Sequence, residues 1–201
     1  MATNNAINTA LPTNGQLLIG STGNAPVAAS LTSTNASITY TAGVGTLNLD
    51  IAAMPSFFAY VDATVPNVTG DGTVYTVIFN TEEFDTLSNF NTTTGMFTAP
   101  TDGLYCLGAQ MTLDDIGAQH TQLNFHLTLS TGQIYPFDIE NPRVIGSPIL
   151  LTRSSSALMQ MASGTSAFIT IQVSGVTKLV DVVGNADKSQ TIFWGYRVLR
   201  T

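Results

Sequence analysis

The chain has 201 residues, of which 44% are apolar and only 9% charged, and its net charge is −7. Such a balance excludes a disordered chain, which pairs low hydrophobicity with high charge, and leaves too few cations for a nucleic-acid surface: Arg143, Arg153, Lys178, Lys188, Arg197 and Arg200 are scattered and form no basic stripe. One cysteine, Cys106, excludes an intrachain disulfide and a cysteine-based zinc cluster, and reads as a small buried apolar residue in a strand.

Residues 1–49 contain no Asp, Glu, Lys or Arg. Within them Leu17–Ile19, Val27–Leu31, Ile38–Tyr40 and Leu47–Ile51 are short apolar pieces between Gly, Asn and Thr turns, which predicts short strands. A segment of this size cannot bury enough apolar surface to offset its ordering entropy by itself. It therefore packs on the rest of the chain, packs on other copies of itself, or stays flexible. The amino terminus lacks the positive and apolar regions of a secretory leader, so no leader is expected. No apolar run reaches the about eighteen residues that a membrane span needs, so no membrane insertion is expected.

Met54-Pro55 closes this segment and separates two expected domains, a β-rich shaft or collar over 1–54 and a head over 55–201. Phe57–Val65 and Val74–Phe79 predict strands, with a turn-rich loop at Asn67–Thr73 between them. Asn91–Gly95 is a turn cluster between Phe90 and Phe97, and the bend at Pro100 with Asp102-Gly103 separates Met96–Ala99 from the strand Leu104–Met111. Asp114–Gln119 is expected as a loop. Gln122–Leu129 alternates strictly, with Leu123, Phe125, Leu127 and Leu129 on a core face and Asn124 and His126 on a wet one. Ile134–Pro148 carries three prolines and predicts irregular edge structure. Ser156–Met161 and Ala167–Val173 are strands around the turn Ser163-Gly164-Thr165, and Gly184–Gln190 is a polar loop before the final strand Thr191–Leu199.

The anchors Phe79, Asp85, Phe90, Phe97, Gly103 and Tyr105 are separated by five, four, six, five and one residues. This spacing resembles the signature of the complement one-q globular head, whose jelly roll is shared with the tumour necrosis factor cytokines. Phe57–Val65 resembles the family's first strand, Gly164–Val173 its penultimate strand and Thr191–Leu199 its closing aromatic-glycine strand. The pattern departs at Leu107 and Ala109, where the family places aromatics, and a paler core is expected there. Gly15–Gly20, GQLLIG, is similar to repeats in phage tail-fibre proteins. The resemblance implies an all-β jelly-roll sandwich that assembles as a homotrimer. It also implies calcium as a metal some relatives hold, with Asp114-Asp115 and Asn185–Asp187 as the oxygen-rich loops suited to it.

Two strands support assembly from the residues themselves. Ile192, Trp194 and Tyr196 lie on one face of the last strand and Phe193 and Gly195 on the other, so both faces are largely apolar, as in Leu104–Met111. A strand apolar on both faces needs a cover beyond its own core. Two further copies about a threefold axis provide one, and residues 1–54 are the alternative. Phe79, Phe90, Phe97, Tyr105, Leu107, Phe193, Trp194 and Tyr196 are therefore expected in the core or the trimer interface.

Catalytic motifs are absent. Gly15–Ser21 lacks the Lys of a phosphate loop, Gly43-Val-Gly45 lacks the third glycine of a dinucleotide site, and His120 and His126 are not spaced as a zincin pair. Glu82-Glu83 and Asp114-Asp115 are neighbours in strands or turns, and adjacent strand residues point to opposite faces, so neither pair flanks one glycosidic bond. Asn35, Asn67 and Asn91 head glycosylation acceptors that matter only on a eukaryotic secretory route. The expected function is non-enzymatic: a trimeric fibre tip or surface spike of a phage or virus, on the virion or extracellular surface, binding a cell-surface receptor such as a glycan. A cytokine-like or complement-like trimer and a passive virion decoration are the alternatives. The ligand residues expected in the head loops are Asp114, Asp115, His120, Asn185, Asp187 and Lys188.

Overall fold

Alternation of apolar and hydroxyl-bearing residues, punctuated by Gly, Asn and Asp, builds this chain almost wholly from antiparallel strands. The computed structural model describes residues 16–21, 24–33, 38–43, 46–51, 53–144 and 149–198. They fall in two compact units, Met1–Ala53 and Met54–Thr201. In the first unit β1 (Gln16–Ser21) pairs with β2 (Asn24–Ser30), and β3 (Ile38–Gly43) with β4 (Thr46–Ile51). The β3–β4 register sets Ile38 opposite Ile51 and Tyr40 opposite Leu49 on one face, and Thr39 opposite Asp50 on the other. Ile38, Tyr40, Leu49 and Ile51 are nonetheless exposed. An amphipathic two-stranded hairpin of this kind is marginal alone. Gly15, Val44-Gly45 and the Asn35-Ala-Ser37 acceptor lie outside the described residues.

The second unit is a sandwich of two sheets. Its strands are β5 (Ser56–Tyr60), β6 (Val65–Thr69), β7 (Val74–Thr76), β8 (Thr81–Asp85), β9 (Phe90–Asn91), β10 (Met96–Thr98), β11 (Gly103–Ile116), β12 (Gln122–Leu129), β13 (Ile134–Glu140), β14 (Ile149–Met161), β15 (Ser166–Ser174), β16 (Val180–Val182) and β17 (Ile192–Arg197). One sheet runs β13-β12-β15-β10-β9, with β7 also on β15. The other runs β6-β16-β11-β17-β5-β8, with β14 on the far edge of β11. This is an all-β jelly-roll architecture.

The aromatic anchors meet in one core. Phe57 stacks on Phe90 and Phe97 at 4.9 and 4.8 Å between centroids and takes Phe193 edge-on at 4.9 Å. Phe79 reaches Phe193, and Phe97 reaches Tyr105. Tyr105 is fully buried, and its hydroxyl donates to Thr101 O at 2.7 Å, so burying it strands no polar group. Leu107 and Ala109 are buried opposite Gly195 and Phe193. The aromatic bulk missing from β11 is supplied across the ladder by Phe193 and by Phe57 of β5.

Several expected boundaries move. Phe57–Val65 is not one strand: β5 ends at Tyr60, and Asp62 turns the chain through reciprocal bonds with the Asn80 amide. Val74–Phe79 keeps only three ladder residues, yet Val77 and Phe79 stay buried, since the Gly95 turn packs against the backbone at Val77 and Ile78. Asn67–Thr69 belongs to β6, so the expected loop there shrinks to its Gly70–Thr73 tip. Asp114–Ile116 completes β11 rather than opening a loop. The stretch after Ile134 is an edge strand, irregular as expected in that its ladder with β12 is bulged between Asp138 and Pro136, and Pro136 is tolerated because β13 is the last strand of its sheet among the described residues; residues 145–148 lie outside the described residues. Strand β14 starts at Ile149, well before the expected Ser156.

Charge closes the sandwich at the β13/β14 edge. Asp138 and Glu140 pair with the core residues Phe125 and Leu123, and Arg153 pairs with the core residue Met111. All three therefore point between the sheets, where Arg153 bonds both carboxylates at 2.8 Å. Inward-facing charge is one way to keep a sheet edge from pairing with another chain.

Candidate functional site

The six loop residues expected to hold a ligand come from two segments, Asp114, Asp115 and His120 at and after the end of β11 and Asn185, Asp187 and Lys188 between β16 and β17. Asp114 lies in β11 opposite Asp181. Asp115 follows at φ +59°, its N–H donating to Asp114 Oδ1 at 2.9 Å, inside the bulge between Leu113 and Ile116. The bulge interrupts the two-residue alternation, and both residues are exposed.

Asn185, Asp187 and Lys188 sit in the β16–β17 loop. Ser189 N–H donates to Asn185 Oδ1 and Asp187 Oδ1, while Asn185 Nδ2 donates to Ser189 Oγ. The bond from Ser189 holds the Asp187 carboxyl below its ordinary pKa. Lys188 turns away to an ion pair with Glu83 and lies 5.8 Å from the Tyr60 ring centroid. The Glu83 carboxylate raises its pKa. No hydrogen bond or ion pair joins this loop to Asp114 or Asp115. Among the described residues no three His, Cys, Asp or Glu gather as metal ligands.

Both histidines depart from the solvated state expected of them. His120 is fully buried and its Nδ1 accepts the Gly117 N–H at 3.1 Å. A side chain shut in this way cannot touch a ligand. His126 alternates out of the core as expected but is half-buried there, and Nε2 of each ring is closed off without a hydrogen-bond partner. Burial lowers both pKa values.

The outward face of the β8-β5-β17-β11-β14 sheet is different in kind. Phe58 stacks on Phe84 at 6.4 Å, and Trp194 on Tyr196 at 6.2 Å with planes 13° apart. These four rings, with Ser56 and Ile192, line a shallow, mainly apolar groove. Leu158 of β14 is 62% exposed on the same sheet and Tyr196 is 47% exposed. Cys106 pairs with Tyr196 on this face and is half-buried rather than buried. Its thiol, hydrogen-bonded to the phenol, raises the Tyr196 pKa. Of the eight expected core or interface residues, Phe79, Phe90, Phe97, Tyr105, Leu107 and Phe193 line the core, whereas Trp194 and Tyr196 look outward. Phe58 and Phe84 were not singled out, although consecutive Phe57-Phe58 in a strand must face opposite sides.

Comparison with known proteins agrees with this architecture. The globular domain of zebrafish complement 1qA protein is 18% identical, with 73% of this chain and 99% of that one covered and a TM-score of 0.49. Murine APRIL at pH 5.0 is 9% identical, with 73% and 100% covered and a TM-score of 0.50; its structure at pH 8.0 gives the same figures. At that identity the likeness is one of fold. No match is found among curated protein sequences. The model of the C1q domain matches residues 56–198, most of the chain and nearly all of the second unit, and the chain belongs to the C1q domain family.

Proposed function

We propose that the chain is a homotrimeric recognition head, carried at the tip of a phage or virus fibre, that binds a cell-surface ligand such as a glycan through three equivalent sites. The observation that carries this reading is the uncovered aromatic face of Phe58, Phe84, Trp194 and Tyr196 on a sheet whose other face is the core. Large contiguous apolar patches on soluble proteins mark interaction surfaces, and cyclic symmetry lets identical copies cover them without leaving an open end. Two further copies are the occupant, since a threefold arrangement buries the same face on each.

The amino-terminal hairpins support a shaft or collar over residues 1–54, because their exposed Leu17, Ile19, Tyr40 and Leu49 need partners and hairpins in register on three chains supply them. Low charge and abundant hydroxyl and amide groups suit a virion or extracellular surface. Three sites on one particle gain affinity by avidity without new contacts. Recognition without catalysis fits a head whose carboxylates are scattered or tied in turns.

Light scattering on a sizing column is the test of assembly, with three chain masses expected. A monodisperse monomer would remove the reading. Labelled protein adsorbing to host cells is the test of recognition, and a trimer that adsorbs to none would reduce it to a passive virion module.

A further inference from the structure

A polar cleft of about 550 Å³ opens beside the β9–β10 hairpin, apart from the aromatic face. Glu82, Ser88, Asn89, Asn91 and Thr92 line it, with Phe90 as an apolar floor. Its volume is that of a small-ligand site, about 300–1,000 Å³. We infer that this cleft binds a neutral sugar unit, so that the ligand contact of the head lies at Ser88–Thr92 rather than in the loops after β11 and β16; the inference rests on the recognition reading above.

The segment is held for such a task. Asp85 accepts the Leu87 N–H at 3.3 Å and the Phe90 N–H at 2.6 Å, folding residues 86–89 into a tight turn. Thr98 N–H donates to Asn89 O at 2.8 Å and fastens the turn to β10. Asn91 Oδ1 accepts from Thr93 and Thr94, which fixes the far lip. Groups fixed before the ligand arrives lose less freedom when it binds.

Two features mark the turn as more than a connector. Ser88 is held at φ +54°, a left-handed conformation that is uncommon for a serine and is found at functional turns. Asn89 lines the cleft, and its Nδ2, shut from solvent with no acceptor as it stands, gains one when the amide turns toward a sugar hydroxyl. Hydroxyl groups of a sugar both donate and accept, and they match a lining of amides, hydroxyls and one carboxylate. No Lys, Arg or His lines the cleft, which disfavours an anionic sugar or a phosphate, and a single carboxylate is too few for a metal ion.

The test is saturation-transfer NMR of the full chain with methyl α-D-glucopyranoside, methyl β-D-galactopyranoside and N-acetyl-D-glucosamine, each titrated to the millimolar range. At least one sugar is expected to give a saturable signal. Asn89→Ala and Glu82→Gln, each checked for unchanged melting and solution mass, are expected to weaken it at least tenfold, and Asp187→Asn to leave it unchanged. Silence with all three sugars, which would mean that the cleft holds water alone, overturns the inference; so does a signal that neither variant at the cleft alters. Cell adsorption by the wild type separates the two readings. Adsorption that persists while the sugars are silent keeps the recognition head and removes this site, and adsorption to no cell removes the head's role while the titration still decides the cleft.

Discussion

Gly108 lies directly across the β11–β17 ladder from Trp194, and a methyl group added at Gly108 would run into three atoms of the indole ring. The glycine is what lets the indole lie flat on the sheet and stack on Tyr196. Gly108→Val is expected to lift the ring, disrupt the aromatic face and shift the proposed trimer toward monomer, while the core on the other side of β11 stays intact. Trp194 is the only tryptophan, so its emission wavelength reports the displacement and light scattering reports the mass. An unchanged trimer with a shifted emission would show that this face is not the subunit contact.

Arg153 is the single cation between Asp138 and Glu140 at the sandwich edge, and side-chain exposures of 35%, 25% and 19% place all three in partial shelter. Glu140 Oε1 is closed off with no partner even with Arg153 present. Arg153→Met would leave two inward carboxylates facing each other and is expected to cost roughly 1–3 kcal/mol in urea unfolding. Adding Asp138→Asn and Glu140→Gln to that variant should recover part of the loss. If the triple variant is weaker than the single one, the bridge is not what sets the cost.

The fold was legible because the jelly-roll anchors are large aromatics at fixed spacing, and Phe57, Phe79, Phe90, Phe97 and Phe193 can fill only one core. Alternation in Gln122–Leu129 translates directly into the burial of Leu123, Phe125, Leu127 and Leu129. What the sequence hid are departures from local pattern. The bulge at Asp114-Asp115 breaks the alternation of β11, a matter of backbone register with β14. His120 reads as a polar loop residue, and only the fold reveals that it is fully buried, with its backbone beside Gly175. The Ser88–Asn89 cleft is assembled by Asp85 bonds five residues back in the chain and by β10 opposite, and no spacing rule announces it.

Stability should depend on pH through the two histidines. Burial depresses the folded pKa of His120 and His126 below the ordinary histidine value of about 6.5. Above that value both states are neutral and stability is full. As pH falls below it the unfolded chain takes up protons that the folded chain refuses, so stability declines until the folded pKa is passed. Protonating His120 at Nδ1 also requires the Gly117 N–H to turn away. Urea midpoints between pH 7.5 and 5 are expected to fall, and His120→Gln should flatten that slope. A midpoint that holds steady through this window would mean that the rings charge without cost.

Gly175 and Gly164 separate backbone strain from lack of space. Both have positive φ, +129° and +84°. Around Gly164 nothing lies within 4 Å of an added Cβ, whereas at Gly175 the Cβ would stand 2.8 Å from Gln119 O, 2.8 Å from Thr121 N and 2.9 Å from His120 Cα. Those neighbours are backbone, tied by the Thr121 N–H to Ser174 O bond, and cannot swing aside as a side chain can. Gly164→Ala should therefore cost about 1–2 kcal/mol, the strain of the left-handed region alone. Gly175→Ala should cost more than about 3 kcal/mol, because the loop over His120 must also move. Urea unfolding gives both numbers, and amide exchange at Gln119–Thr121 shows whether the extra cost falls on that loop. Equal losses at the two sites would mean that the 119–121 backbone yields freely.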